Sequence, residues 1–316
     1  MIISCFEGYK MNFEIVLGQV LILFIIIIVG VIAGKAGIIA DGASKKLSEL
    51  LLYVTSPMMV LGSFFFEYSA EKLMNGLLVL LVAIGFYFIS IFISSILFKG
   101  FNEKVKPIMR FSAVFSNAGF MGLPMMKALF GSEGVFLGSF YVVAFNIFVW
   151  TFGYAMYGNT KESGGMGRLL KKALLNPSVI AVYAGVVIFI FRIPVPDAVK
   201  SAVDYIGDMT MPLSMLIIGA LISTAELKSL VNDIRIYYVS AVRLIVMPLL
   251  AYGILYLTGV PEMILSIVVT ALAMPVAATT TIFADLFDKD AVFASKAVTL
   301  STILSIITAP LIVGML

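Results

Sequence analysis

Histidine is absent from all 316 residues, and cysteine occurs once, as Cys5. The first absence removes imidazole proton relays and His-ligated metal sites; the second removes any disulfide within the chain. Charge is scarce too, since only 12% of residues are Asp, Glu, Lys or Arg, against about 25% in an ordinary soluble domain. A net charge of +3 gives no polyanion, nucleic acid included, a reason to bind. Hydrophobic residues make up 61% of the chain and the mean hydropathy is +1.11. They come in blocks such as "VLGQVLILFIIIIVGVIAG", from Val16 to Gly34. A helix of about 20 such residues crosses the roughly 30 Å hydrocarbon core. The fold class is therefore an all-α polytopic membrane protein. The opening "MIISCFEGYKMNFE" reads as a short tail before a retained first helix rather than a cleaved signal, and either Met1 or Met11 serves as a start.

Apolar runs divided by charged or Gly/Pro-rich breaks predict ten spans, near 14–34, 46–66, 73–98, 108–129, 134–157, 175–192, 198–224, 236–257, 262–284 and 291–315. The loops after the odd-numbered spans hold fifteen Lys and Arg, including Lys45, Lys106, Lys161, Arg168, Lys228 and Lys289. The other side holds five, Lys10, Lys72, Lys127, Arg192 and Lys200. The positive-inside rule then makes the richer side cytoplasmic, with both termini outside a multi-pass cytoplasmic (inner) membrane protein.

Ten spans divide into halves of five, which enter the membrane in opposite senses. The expected units are 1–157 (helices 1–5), a cytoplasmic linker at 158–174 containing "GNTKESGGMGRLLKK", and 175–316 (helices 6–10). Shared punctuation supports the repeat: "VTSPMMVLG" with Thr55 and Pro57 matches "MTMPLSMLIIG" with Thr210 and Pro212. Pro124 follows Pro57 by 67 residues and Pro275 follows Pro212 by 63. Interrupted helices at corresponding places of inverted halves point to a transporter's binding site.

Two interruptions carry the chemistry. "SNAGFMGLPMMKALF" puts Asn117, Gly119, Gly122 and Pro124 near mid-membrane, and "LAMPVAATTT" puts Pro275, Thr279 and Thr280 there. Proline frees a carbonyl that lipid cannot satisfy, so such backbone survives only inside protein or beside a wet cavity. Helix N-termini at the breaks offer partial positive charge and free N–H groups to an anion. Asn146, beside Trp150, is a further candidate lining residue. Arg243, about 12 Å inside the eighth span, either snorkels to the interface or serves an anion, and Asp208 is its possible partner or a proton or ion site. Lys127, one turn past Pro124, reads as snorkelling before attraction of an anion at the outer mouth, Glu49 and Asp204 as helix-start acids, and Asn176–Pro177 as a cap and first-turn pair.

"NAGFMGLP" resembles the Asn-x-x-x-Met-Gly-x-Pro segment of the auxin efflux carrier family, which includes plant auxin carriers and bacterial transporters of malate or malonate. "LLNPSVIAVYAGVVIF", "DMTMPLSMLIIGALI" and "ALAMPVAATTTIFADLFDKD" extend the resemblance over essentially the whole chain. It implies a five-plus-five inverted repeat similar to the bile-acid/sodium symporter fold. Helices 1, 2, 6 and 7 would form a scaffold and homodimer interface, and helices 3–5 and 8–10 a moving transport unit. It also implies that broken helices 4 and 9 cross at their prolines, with Asn117 contacting substrate and Pro124 and Pro275 at the crossover. The chain lacks the long central loop of the plant carriers and departs from their pattern after Pro275, which favours a small carboxylate over auxin. The expectation is a secondary transporter of malate- or malonate-like carboxylates or auxin-like weak acids by an elevator-type motion. It would have no cofactor and a proton or sodium ion as possible coupling ion. A passive uniporter or channel-like facilitator and a sodium-coupled symporter are the alternatives. An intramembrane aspartyl protease is disfavoured because Asp204 and Asp208 share one helix and "YIGD" lacks the first glycine of Gly-x-Gly-Asp.

Overall fold

A computed structural model describes residues 2–39, 41–158, 165–223 and 233–316, with side chains from Leu17 onward except Asp41. Linker residues 159–164, with Lys161, and the loop containing Lys228 lie outside the described residues, as do the side chains of Cys5 and Lys10. Regular structure among the described residues is helical, and one isolated antiparallel bridge, Ser116 with Val276, stands apart from it.

The chain opens with α1 (Ile2–Lys35), α2 (Asp41–Leu50), α3 (Ser56–Gly62) and α4 (Ala70–Leu97). Next come α5 (Lys106–Val114), α6 (Leu123–Phe148), α7 (Tyr154–Tyr157), α8 (Met166–Leu174) and α9 (Pro177–Phe191). The remainder is α10 (Asp197–Asp208), α11 (Thr210–Ser223), α12 (Ile234–Ala241), α13 (Met247–Thr258), α14 (Glu262–Ala273), α15 (Thr279–Leu286) and α16 (Ala291–Val313). By length and composition six helical stretches among the described residues can cross a membrane, and the bent pair α8–α9 makes a seventh. The ten expected spans differ from this count for a physical reason. The second and ninth fall on broken pieces too short to count alone. The fourth and fifth run together through Ala118–Tyr157 and part only at Gly131, whose φ of 61° and ψ of −151° break the helix.

Local chemistry explains several helix ends. Asn176 accepts from the Ser178 amide at 3.0 Å with Pro177 at the first helical position, the cap-and-proline pair read from the sequence. Ser69, Asp233 and Asp290 cap α4, α12 and α16 in the same way. The Arg235 guanidinium, bonded to Asp233 at 2.6–3.1 Å, also holds that carboxyl below the usual carboxylate range.

π-helical turns at Leu51–Thr55, Ala118–Gly122 and Val242–Val246 each precede a proline by two residues, namely Pro57, Pro124 and Pro248. A proline ring clashes with the carbonyl four residues back, and the wider turn relieves that clash. The prolines thus sit within these helices without ending them.

α1 packs along α11 through small residues. A methyl group on Gly219 would collide with the Ile27 carbonyl, and one on Gly30 would come within 2.5 Å of the Leu216 carbonyl. Only residues without side-chain bulk let two membrane helices approach so closely. The other side of α1 exposes Ile25, Ile28 and Ile32, as expected of a lipid-facing surface. Gly219→Leu is therefore expected to force α1 and α11 apart at a cost of about 3 kcal/mol or more. Detergent-solubilised variant should lose its monodisperse elution and its cooperative melt; a wild-type melting profile would show that this contact is not fixed.

Candidate functional site

The apolar run of α5 stops at Val114. Phe115 is extended at φ −103°, ψ 110°, and Asn117 lies at φ −76°, ψ 51° before the chain re-enters a helical turn at Ala118. The run of α14 stops likewise at Ala273, with Met274 extended at φ −70°, ψ 150°, and α15 begins at Thr279. The two extended pieces pair. The Asn117 amide donates to the Pro275 carbonyl at 2.7 Å, and the Ala277 amide to the Phe115 carbonyl at 3.0 Å. Ser116 and Val276 face each other between these bonds. Buried backbone that left two helices is thereby satisfied by mutual exchange, as membrane-depth backbone must be.

One further donor is held from outside the pair: the Val276 amide bonds Ser301 Oγ of α16 at 3.1 Å. Removing that acceptor strands a buried N–H, at a cost of about 1–3 kcal/mol. Ser301→Ala should lower the thermal midpoint. Thr302→Ala, one residue on, should not, because Thr302 Oγ1 only returns to the Val298 carbonyl of its own helix. Equal midpoints for the two variants would remove this role from Ser301.

Four helix ends converge here. The C-terminal ends of α5 and α14 present carbonyls without intrahelical partners, and Arg243 takes them. Its Nη1 donates to Ala113 at 3.0 Å and Val114 at 3.2 Å, and its Nη2 donates to the Leu272 carbonyl. Arg243 is fully buried, so it does not snorkel. Nor is Asp208 its partner: that carboxylate pairs with Lys127, which does not simply snorkel either. Among the described residues no acid lies within ion-pair distance of the Arg243 guanidinium.

The opposite ends are the start of the turn Ala118–Gly122, with Asn117 as its cap, and the start of α15. The Asn117 carbonyl accepts from the Met121 and Gly122 amides, both at 3.0 Å. Its carboxamide, in a residue only 6% exposed, has no partner among the described residues. Thr279 Oγ1 and Thr280 Oγ1 are buried without partners as well, and Ser116 Oγ lies beside the Tyr141 hydroxyl. A methyl group added to Gly119 would meet nothing within 4 Å, so open space borders this end of the crossing. Gly122 sits near Met274 of the other break.

Not every expected residue belongs to this cluster. The chain leaves its helix at Ser116–Asn117 rather than at the proline; Pro124 sits inside α6, beyond the π-helical turn, whereas the Pro275 carbonyl takes part in the pairing of the two breaks. Asn146 turns its amide onto the Val142 carbonyl of its own helix at 2.9 Å. Ser116, Ser301 and Pro248 were not among the expected site residues. Neither were Tyr87, stacked on Phe115 with centroids 5.7 Å apart, and its neighbour Tyr141. The only sequence sign of Pro248 was its place in "VRLIVMP", where it sets the π-helical turn that carries Arg243.

A cavity of about 640 Å³ lies elsewhere, lined by Glu67, Tyr68, Arg192, Asp197 and Lys200. Its cations and acids are mixed, and Arg192 already stacks on Tyr68 at 5.1 Å. Its lining shares no residue with the paired breaks at 115–117 and 274–278.

The chain resembles known proteins along nearly its whole length. It is similar to an "Uncharacterized transporter" of Methanothermobacter thermautotrophicus, with 26% identity over 299 residues, covering 92% of this chain and 95% of that one. It is also similar to "Uncharacterized transporter MJ1031" of Methanocaldococcus jannaschii, with 21% identity over 303 residues, covering 92% and 96%. Residues 15–313 match the family described as "Membrane transport protein". With multi-pass apolar helices and a match over nearly its full length, the chain belongs to that family, the auxin-efflux-carrier-like membrane transporters, and is not an enzyme.

Proposed function

We propose that this transporter carries small organic anions, malate- or malonate-like carboxylates or auxin-like weak acids, and binds them where the two broken helices cross. The observation that carries this reading is the Asn117 carboxamide, 6% exposed and capping no amide at the turn Ala118–Gly122, together with Thr279 Oγ1 and Thr280 Oγ1, buried without partners at the start of α15. Helix N-termini inside low dielectric favour negative charge, and an amide and hydroxyls fix a carboxylate's orientation.

The same reading takes the chain as ten spans in two inverted halves, 1–157 and 175–316, in the cytoplasmic membrane with both termini outside. The paired breaks at residues 115–117 and 274–278 and the proline intervals support that repeat. Helices 1, 2, 6 and 7 then form a scaffold on which two copies associate. Helices 3–5 and 8–10 form a unit that carries the crossing from one face to the other. Close glycine packing of α1 on α11 fits a rigid scaffold. A proton or a sodium ion remains the candidate for coupling.

Purified protein in proteoliposomes, loaded with unlabelled malonate or malate, should accumulate the labelled anion by counterflow, saturably. Unitary currents without counterflow would replace the carrier by a channel-like facilitator. Absence of flux for any small carboxylate would remove the proposed substrate class.

A further inference from the structure

The free carbonyls at a helix C-terminus carry roughly half a unit of negative charge. Two such ends, those of α5 and α14, are brought together inside the protein, and their carbonyls at Ala113, Val114 and Leu272 point at one place. Together they amount to roughly −1, which a single monovalent cation cancels. The cation present is the side chain of Arg243, fully buried and carried by the π-helical turn Val242–Val246. Its planar fork reaches both helix ends at once, which the single ammonium of lysine does less well. Its Nε has no partner.

The second halves contribute the opposite sign. The turn beginning at Ala118, which runs on into α6, and helix α15 each present roughly +0.5 at their starts. Without the guanidinium the four ends sum to about zero; with it the crossing carries an excess of about +1. We infer that Arg243 is the fixed counter-cation of the crossing. It fills the place where two converging helix C-termini would otherwise demand a bound cation, so an anion is held at the N-terminal ends without sodium. This rests on the crossing being the substrate site, and it settles between the two coupling ions by assigning sodium no place there.

Two consequences separate this role from simple capping. Charge at the crossing should control anion affinity, and a free cation should replace the lost side chain. The thermal midpoint of detergent-solubilised wild type should be the same in sodium chloride and choline chloride, as should its affinity for malonate, used as the probe. Arg243→Gln should melt lower in choline chloride and recover on adding millimolar guanidinium or sodium. Its malonate affinity should fall by about tenfold or more and return with the same cations. If Arg243→Gln does not fold, Arg243→Lys keeps the charge and should bind malonate in choline chloride within a few-fold of wild type.

The inference is overturned by a sodium-induced gain in wild-type midpoint or malonate affinity. Wild-type malonate affinity in Arg243→Gln without added cation, no cation recovery in that variant, or sodium dependence in Arg243→Lys would also overturn it. If wild type binds no malonate, the substrate reading fails on that probe. The cation recovery of the Arg243→Gln midpoint still decides the role of Arg243.

Discussion

Asn117→Ala is expected to reduce carboxylate uptake roughly 10- to 100-fold while leaving a folded, monodisperse protein. A hydrogen bond from a neutral donor to a charged group is worth about 1.5–3 kcal/mol, and that is the contribution the carboxamide makes to a bound carboxylate. The fold does not depend on that side chain. The backbone of Asn117 makes the structural contacts, its amide to Pro275 and its carbonyl to Met121 and Gly122, and alanine keeps all three. Removing an unpartnered side chain strands no internal group. The measurement is counterflow into proteoliposomes alongside the thermal midpoint of the same preparation. A variant that melts like wild type and transports like wild type takes substrate contact away from Asn117. Asn117→Asp sharpens the test: it is nearly isosteric, but its charge repels a carboxylate, and it should be no better than alanine at neutral pH.

The polar break in "SNAGFMGLP" was legible because an asparagine and two glycines in an apolar run have few structural uses. Its partner in "LAMPVAATTT" was legible through the proline. What pairs with what was not. The bridge joins Ser116 to Val276, far apart in sequence, and no local pattern encodes that register. Pro124 misled for a definable reason. A proline marks a lost amide, but a π-helical turn just before it absorbs the ring clash, so the true break lay at Ser116–Asn117. Arg243 was recognised as costly, yet the sequence prompted a search for an acid. Its acceptors are main-chain carbonyls of two other helices, which every residue possesses and no side chain advertises. Asp208 shows the converse. Its partner Lys127 lies 81 residues away and becomes a neighbour only once α6 and α10 both pack against α3.

That pair leads to the second large effect. Lys127 follows the crossing on α6 and Asp208 ends α10, so the ion pair joins the proposed moving unit to the proposed scaffold. Its side chains are 35% and 59% exposed, so the pair itself is worth at most about 1 kcal/mol and breaks readily. A weak contact suits a junction that must open in every cycle; a covalent one does not. With Cys5→Ser removing the single native cysteine, Lys127→Cys and Asp208→Cys place two thiols where the ion pair was. Joining them with a short bifunctional thiol reagent should abolish counterflow in proportion to the fraction cross-linked, and reduction of a cleavable reagent should restore it. Either single cysteine treated alike should keep its transport, which excludes simple blockage by the reagent. The unlinked double variant should also transport, since the pair holds one conformation rather than substrate. If fully cross-linked protein still exchanges carboxylate, α6 does not travel past α10 during transport. The crossing would then have to open to both faces by local rearrangement around Gly119 and Gly131. An elevator predicts arrest, because the crossing follows rigidly from the helices that carry it.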